Sequence, residues 1–474
     1  MECRTLDIWD QIAPRAYIRL WYCLPYRETT ELDCLKQHFT ATLSELSKRF
    51  PDLKGRIFLL ADPPGHLAIS TSGVNDIPFK FEQRALFNWT YSQLKSQGFP
   101  AEAFVDTSFD LSYRLEEGGE GIPAFEVHVR LIHGGLLLGI YGHHSIFDAD
   151  RMDIVIRCFA ELTKITKKTS DIIVLARLSC ESPAAAPSPP VADLTELLSH
   201  CPEYRLLPSP LGPTQFRALK TDPAPENTGC IFVVREKTIR DLKDKLGYTR
   251  PTDTKQQPST FTCLAALTWA HVTKARIDSL SSETTLAEDA RLMVSVDWRR
   301  RISTDAIGPS SGNAIALPIA SINKSTILAA CSEDHGIAYS SLATIARAID
   351  EAIRSVNDDF VACRTALFRR VPDPRFIGLD FDLSDPLDFY LNTWRHFGAR
   401  THWDLPGLDK QDVAMGVAPD AVRRAQAGFG TGSGLVLPET DSSKFEVLIT
   451  LDVEAMKHLS NSPSWQRWAE TPGL

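Results

Sequence analysis

Leu136-Leu-Leu-Gly-Ile-Tyr141 runs directly into Gly142-His143-His144-Ser145-Ile146-Phe147-Asp148-Ala149. The first six residues are apolar enough for a strand covered on both faces. Upstream, Phe125-Glu-Val-His-Val-Arg-Leu131 alternates strictly, as a half-buried strand does, and Gly134-Gly135 turns one run into the other. Downstream, a helix is expected to start near Asp150, with that residue as its N-cap and Asp153 at the third position. Its buried face reads as Met152, Val155, Ile156, Phe159 and Leu162. The octet therefore lies where a buried strand ends and a helix begins, a place from which loops present side chains into clefts. A histidine there can take a proton near neutral pH, since its ordinary pKa is about 6.5. An aspartate four residues on can turn back and hold the loop through a charge partner. The same spacing also fits a plainer arrangement, in which two histidines end a strand and Asp148 caps the helix.

Working outward, Ala16–Leu24 reads as a first strand. Leu32, Leu35, Phe39, Leu43, Leu46 and Phe50 then recur at spacings of three and four, the mark of an amphipathic helix that Thr29 or Thr30 caps and Pro51 stops. Between Pro183 and Pro213 the composition changes, with eight prolines and the run Pro183-Ala-Ala-Ala-Pro-Ser-Pro-Pro190. Such a stretch is stiff and extended, and carries at most a short helix at Asp193–His200. Beyond it the pattern resumes. Strands are expected at Cys230–Val234, Leu292–Val296, Ala314–Ile319 and Phe445–Leu451. Helices are expected around Ile239, Leu242 and Leu246 and over Phe261–Arg276. The organisation is thus an N-terminal half over residues 1–182, a Pro-rich crossover over 183–225 and a C-terminal half over 226–474. Each half is an α/β unit.

The 474 residues carry 51 Lys and Arg against 60 Asp and Glu, a formal net charge of −9. That balance disfavours a nucleic-acid binder, which needs surplus positive charge to displace counterions. With 43% hydrophobic residues the chain can bury a sizeable core. No apolar run approaches the roughly 20 residues of a membrane span, and the start has no leader-like pattern of basic, apolar and small residues. The ten cysteines are scattered without metal-ligand spacing, so no metal is expected and a reduced cytoplasmic compartment fits best.

HisXXXAsp at a strand-to-helix junction resembles the BAHD acyltransferases, and HisHisXXXAsp is also similar to the condensation domains of peptide synthetases. Both share the chloramphenicol-acetyltransferase-type fold. Other stretches extend the resemblance collinearly over nearly the whole chain. Leu6-Asp-Ile-Trp-Asp-Gln-Ile-Ala-Pro-Arg-Ala-Tyr17 resembles the start of fungal members, and Phe50-Pro-Asp-Leu-Lys-Gly-Arg56 looks like their FPxLxGR. Val296-Asp-Trp-Arg-Arg-Arg301 with Gly312-Asn313 resembles VDxRxR…GN, and Phe445–Leu459 with Trp465 the C-terminal strand and helix. The resemblance implies a fungal secondary-metabolite acyltransferase of the BAHD-like family. Its fold would be two similar domains, each a mixed sheet flanked by helices, with the active site in a tunnel between them.

Carried over by position, the resemblance makes His144 the general base. It makes Asp148 and Arg299 a structural ion pair behind the catalytic loop, although the Arg299–Arg301 cluster also fits a site for CoA phosphates. His143 reads as a packed strand-end histidine. The second family motif is degraded. With one inserted residue, Asp404, Gly407 and Lys410 match it, and Asn392 with Thr393 occupies the place of a possible oxyanion donor. The resemblance further implies an acyl-CoA co-substrate, no bound cofactor, a small-molecule acceptor and a monomer. The degraded motif leaves open an acyl carrier protein as donor, and the cavity also fits a cyclase or isomerase that transfers no acyl group. Two lookalikes carry less. Gly308-Pro-Ser-Ser-Gly312 matches G-x-S-x-G but is followed by an apolar strand rather than a helix, and Gly430-Thr-Gly-Ser-Gly434 lacks a phosphate-binding lysine. The acidic run Asp380–Asp388 reads as a solvated loop.

Overall fold

The computed structural model describes residues 3–27, 32–83, 88–111, 113–164, 193–212, 226–249, 255–280, 285–302, 312–408 and 416–471. Most of the Pro-rich crossover, the Thr29 and Thr30 caps, residues 308–311 and Lys410 lie outside the described residues. In chain order the first half runs α1 (Ile8–Ile12), β1 (Tyr17–Pro25), α2 (Leu32–Arg49), β2 (Phe79–Gln83), β3 (Phe125–Ile132), β4 (Gly135–His143) and α3 (Ala149–Leu162). The second contains β5 (Asn227–Arg235), α4 (Thr260–Asp278), β6 (Asp289–Val294), β7 (Ile319–Asn323), α5 (His335–Arg354), α6 (Asp358–Arg370) and β8 (Asp388–Thr393). It closes with β9 (Ala421–Arg424), β10 (Ser433–Val436), β11 (Lys444–Asp452) and α7 (Val453–Ser460).

Two mixed sheets organise the chain. The N-terminal sheet has the order β9-β1-β4-β3-β2, and the C-terminal sheet β5-β11-β10-β8-β6-β7. In the first, β2 and β3 are parallel and the other pairs antiparallel. Helices α2 and α3 cover one face of it. The apolar stripe of α2 packs as its spacing dictates, with Leu35, Phe39, Leu43 and Leu46 all buried. On α3, Met152, Val155, Ile156 and Phe159 are buried as expected, and Leu162 is half-buried. Helix α4 is buried on nearly every side between sheet and helices, in keeping with apolar residues spread around its whole circumference. The short helix in the crossover is present at Leu194–Ser199.

Four expectations need correction. Helix α3 begins earlier than its spacing suggests. Its N-cap is Asp148, whose carboxylate accepts the Arg151 N–H at 3.1 Å, while Asp153 accepts the Gly398 N–H at 2.8 Å. Strand β3 is buried on both faces, not one. Its polar side is covered because Glu126 takes hydrogen bonds from His128 Nε2 at 2.6 Å and Tyr113 at 2.9 Å, so its carboxylate is paired. The expected strand Ala314–Ile319 is broken into Ile315–Ala316 and β7, because Pro318 cannot donate to a ladder. In the acidic run, Asp388 is buried and clamped by Arg291, with Nε donating at 2.7 Å.

The halves also exchange elements. Strand β9, which the sequence places in the second half, pairs antiparallel with β1 in the N-terminal sheet. Trp403, Leu405 and Leu408 sit in the N-terminal core, with the Trp403 ring 5.4 Å from Tyr22 and 5.2 Å from Phe159. In return, Trp9 of α1 enters the C-terminal core. It packs 5.3 Å from Trp298 and 5.1 Å from Phe368 of α6, and its Nε1–H donates to Thr365 at 3.0 Å. Trp9→Ala removes a large buried ring across that junction and should cost about 3–5 kcal/mol. A fall in the urea midpoint at unchanged slope checks it; a loss under about 1 kcal/mol would mean that α1 does not hold the halves together.

Candidate functional site

The octet at the end of β4 is held from both sides. The His143 N–H donates to Ala124 O at 2.9 Å and the His144 N–H to Ala16 O at 2.8 Å, so the two histidines still belong to the sheet edge. Gly142 precedes them because a Cβ there would lie 2.9 Å from Met152 Sδ and from Phe147 Cδ2. Ile146 and Phe147 then turn into the N-terminal core, and Arg151 Nη1 donates to Ile146 O at 2.9 Å from the first turn of α3. A strand, a tight turn and a helix N-terminus thus set the loop without freedom of its own.

Asp148 is the charged centre of this arrangement and is fully buried, 0% exposed. One oxygen caps α3. The other accepts Arg299 Nη2 at 2.5 Å and the Ala314 N–H at 3.0 Å, both from the second half. Arg299 also donates to Asp297 at 3.3 Å and to Gly312 O. Burial pulls the Arg299 guanidinium down, but Asp148 and Asp297 outweigh it and hold its pKa above the ordinary value. The two Asp148 oxygens thus serve the helix cap and the ion pair separately. Arg299 is spent on carboxylates, and Arg301 donates to Ile353 O at 3.1 Å.

The two histidines differ in surroundings. His143 is enclosed, with its ring edge-on to Tyr17 at 5.1 Å and its Nδ1 accepting the Ser145 N–H at 3.3 Å. Burial pushes its pKa down to about 3, so it is a neutral packed residue at any working pH. His144 is half-exposed, and its Nδ1 is sealed from water without a partner of good geometry. Burial lowers its pKa as well, while its own carbonyl, Asp148 and Asn313 pull the other way. A neutral imidazole that is only partly buried is what a base needs before it accepts a proton.

Two residues without an assigned role from the sequence also meet the loop. Asn313 Nδ2 donates to His144 O at 2.8 Å and to Asp10 Oδ1 at 2.8 Å, and the Asn313 N–H reaches the same Asp10 oxygen at 2.7 Å. Gly312 is required beside them, because a Cβ would sit 2.6 Å from Asp10 Oδ2. Asp10 belongs to the opening motif and Asn313 to GN, but nothing in their spacing shows what they touch.

The remaining candidates lie elsewhere. Asn392 and Thr393 end β8. Phe389 and Leu391 of that strand face the C-terminal core, so Tyr390 and Asn392 face the opposite side, where the Tyr390 hydroxyl meets Ser295 at 2.7 Å. Asn392 Oδ1 accepts the Thr393 N–H at 2.7 Å and Thr393 Oγ1 accepts the Arg395 N–H at 3.3 Å; these bonds finish their own strand. Asp404 and Gly407 support the N-terminal half. The Asp404 N–H donates to Thr163 at 3.0 Å, and Gly407 O accepts the Arg27 N–H at 2.8 Å. Phe104, Ile231, Arg424 and Phe429 meet in a closely packed crevice between the halves. Among the described residues no three or more His, Cys, Asp or Glu side chains gather to hold a metal, and no helix is long and apolar enough to cross a membrane.

Residues 4–392 match the model of the Transferase family. The trichothecene 8-O-acetyltransferase of Fusarium sporotrichioides is 23% identical over 494 aligned residues, covering 97% of this chain and 96% of that one. Among solved structures, TRI101 of F. sporotrichioides complexed with coenzyme A and T-2 superimposes with a TM-score of 0.75 at 18% identity, over 100% of both chains. Vinorine synthase superimposes with a TM-score of 0.58 at 15% identity, over 97% of this chain and 92% of that one.

Removing one partner of the Asp148–Arg299 pair leaves a buried charge uncompensated, so Asp148→Ala and Arg299→Ala should each cost about 3–5 kcal/mol. In the double variant the loss should fall short of the sum of the singles by about 0.5–3 kcal/mol. Denaturant unfolding of all four proteins measures the coupling, and strict additivity would mean that the pair does not act as a unit.

Proposed function

The chain belongs to the Transferase family, and on that premise we propose that it is an acyltransferase that moves an acyl group from acyl-CoA to a hydroxyl of a secondary metabolite, with His144 as the general base. The observation that carries this reading is the half-exposed His144 on a loop locked by the buried Asp148–Arg299 pair. Coenzyme A is the donor supported by the likeness to TRI101 in complex with it over the whole chain. A hydroxyl acceptor is supported by the relative that is an O-acetyltransferase.

In this reaction His144 Nε2 removes the hydroxyl proton as the oxygen attacks the thioester carbonyl. The tetrahedral intermediate collapses, the carbon–sulfur bond breaks, and the imidazolium returns its proton to the departing thiolate. Holding both substrates against one base supplies proximity, and no further activation is required because a thioester is already reactive. Asn392 is carried from the sequence resemblance as the candidate donor to the oxyanion, through its amide NH2 group. Donor and acceptor would enter between the two halves, 1–182 and 226–474, from opposite faces. Asp404 and Gly407 are engaged in holding the N-terminal core, so no observation favours a carrier-protein donor over CoA. The nine described cysteines are all free thiols, in keeping with a reduced cytoplasmic compartment, and the protein is read as a monomer.

Thermal unfolding with and without CoA tests the donor. At 100 times its dissociation constant CoA should stabilise the fold by about 2.7 kcal/mol, and absence of any shift with CoA or short and long acyl-CoAs would sink the reading. His144→Ala should keep that shift while acyl transfer from acetyl-CoA to trichothecene-type alcohols, monitored by thiol release, falls about 10²–10⁴-fold. The pH profile is set by the sign of the shift. A base must be neutral to act, and burial lowers the His144 pKa below 6.5, so the rate should hold as pH falls through 6.5 and decline only further into acid. A decline centred above pH 6.5 would contradict a buried histidine as the base.

A further inference from the structure

The acyl-transfer reading, on which this inference rests, gives no task to Asp10 or Asn313, although both are buried against the His144 loop. Asp10 comes from α1 in the first half and Asn313 from the second, so the contact exists only in the folded protein. The Asn313 amide has two hydrogens, and both are used. One goes to Asp10 Oδ1 and one to His144 O, each at 2.8 Å. That settles which way round the amide sits. Reversed, its oxygen would face a carboxylate and a carbonyl, two acceptors with no hydrogen to share. Asn313 Oδ1 is therefore directed away from Asp10 and from the His144 carbonyl, and it is buried without a partner.

His144 Nδ1 is a second buried atom without a partner beside it. The two orphans belong to residues already joined through the His144 carbonyl, and Asn313 adds to that carbonyl and to Asp148 in favouring a proton on the ring against burial. Buried polar atoms are rarely left unpaired, and catalytic hydrogen bonds are often long in a free enzyme and tighten when charge develops. We propose that Asn313, oriented by Asp10, is a positioning residue for His144: its amide oxygen receives the Nδ1–H, which leaves the Nε2 lone pair for the acceptor hydroxyl and steadies the imidazolium once the proton has moved. The proton balance is complete within the reaction. The hydroxyl proton passes to Nε2, Nδ1–H stays in place toward Asn313, and the Nε2 proton leaves on the thiolate. The carboxylate acts at one remove, through the amide, and does not receive a proton.

The charged groups facing this chain of contacts are Arg151 of α3 and Asp7 toward Asp10, and Asp148 toward His144, with the neutral His143 ring beside it. Burial raises the Asp10 pKa to about 6, against the opposing pull of Arg151 and Asn313. In either protonation state an oxygen remains to accept the amide, so the orientation of Asn313 persists across the neutral range.

The test reads His144 itself, without an acceptor substrate. Diethyl pyrocarbonate carbethoxylates a histidine only in its neutral form, and the rate at His144, followed by peptide mass spectrometry against pH, reports its pKa. In Asn313→Ala the profile should move to lower pH, because the ring loses one of the groups that favour its protonation. In the exchange variant Asp10→Asn/Asn313→Asp a carboxylate replaces the amide beside the ring, and the profile should move to higher pH. A merely structural role would not move the two profiles in opposite directions. With acetyl-CoA and an active acceptor, Asn313→Ala should lower kcat about 10- to 100-fold, the loss expected for a hydrogen bond to a charged group, with KM for acetyl-CoA changed less than about threefold. A CoA-induced thermal shift equal to wild type shows that the donor site is intact. Superimposable carbethoxylation profiles in wild type and Asn313→Ala overturn the proposal, even if acyl transfer is real. If Asn313→Ala does not fold, an exchange variant whose profile fails to rise overturns it alone. Should no acyl-CoA bind at all, the function fails separately and the His144 profiles still decide the Asn313 contact.

Discussion

A carboxylate with no exposed surface must find its counter-charge and its hydrogen bonds inside the protein, and Asp148 finds them on both sides of the molecule. Its two oxygens take the Arg151 N–H of its own helix, and the Arg299 guanidinium and the Ala314 N–H of the other half. Desolvation makes each of these bonds expensive to lose, so the loop before the helix and the strand region after Arg299 are held at one distance. The position of His144 is a consequence. It lies four residues before a helix cap that cannot shift without unpairing a buried charge.

The same dependence on both halves appears in the packing. Helix α1 fills the C-terminal core with Trp9, and β9 extends the N-terminal sheet. Each half is incomplete without a piece of the other, which converts a junction between two sheets into a continuous interior. A base placed there meets a largely low-dielectric surrounding. Burial then keeps the imidazole neutral, and the few polar neighbours it has, Asp148 and Asn313, become correspondingly influential.

The degraded second motif illustrates how a stretch can keep part of a pattern for a local reason. Asp404 and Gly407 make backbone bonds to Thr163 and Arg27 that tie the returning chain to the N-terminal half. Those bonds need a particular path of the backbone, not the chemistry of a glycine after the tryptophan position or of a final proline.

The local elements and the HisXXXAsp loop were legible in the amino-acid order because they rest on neighbours in the chain. The stripe Leu35, Phe39, Leu43, Leu46 makes α2 by its period alone, and the collinear motifs placed His144 at a strand end and paired Asp148 with Arg299. Where the local signal was ambiguous the tertiary structure decided. Asp148 rather than Asp150 caps α3, because the cap must also reach a charge from the other half. The polar side of β3 is buried, because His128 and Tyr113 satisfy Glu126 there. The contact of Asp10 and Asn313 with His144 was beyond any pattern. It joins three distant segments through one amide group, and a hydrogen bond of that kind has no period and no spacing; it depends on where the folded chain brings distant segments together.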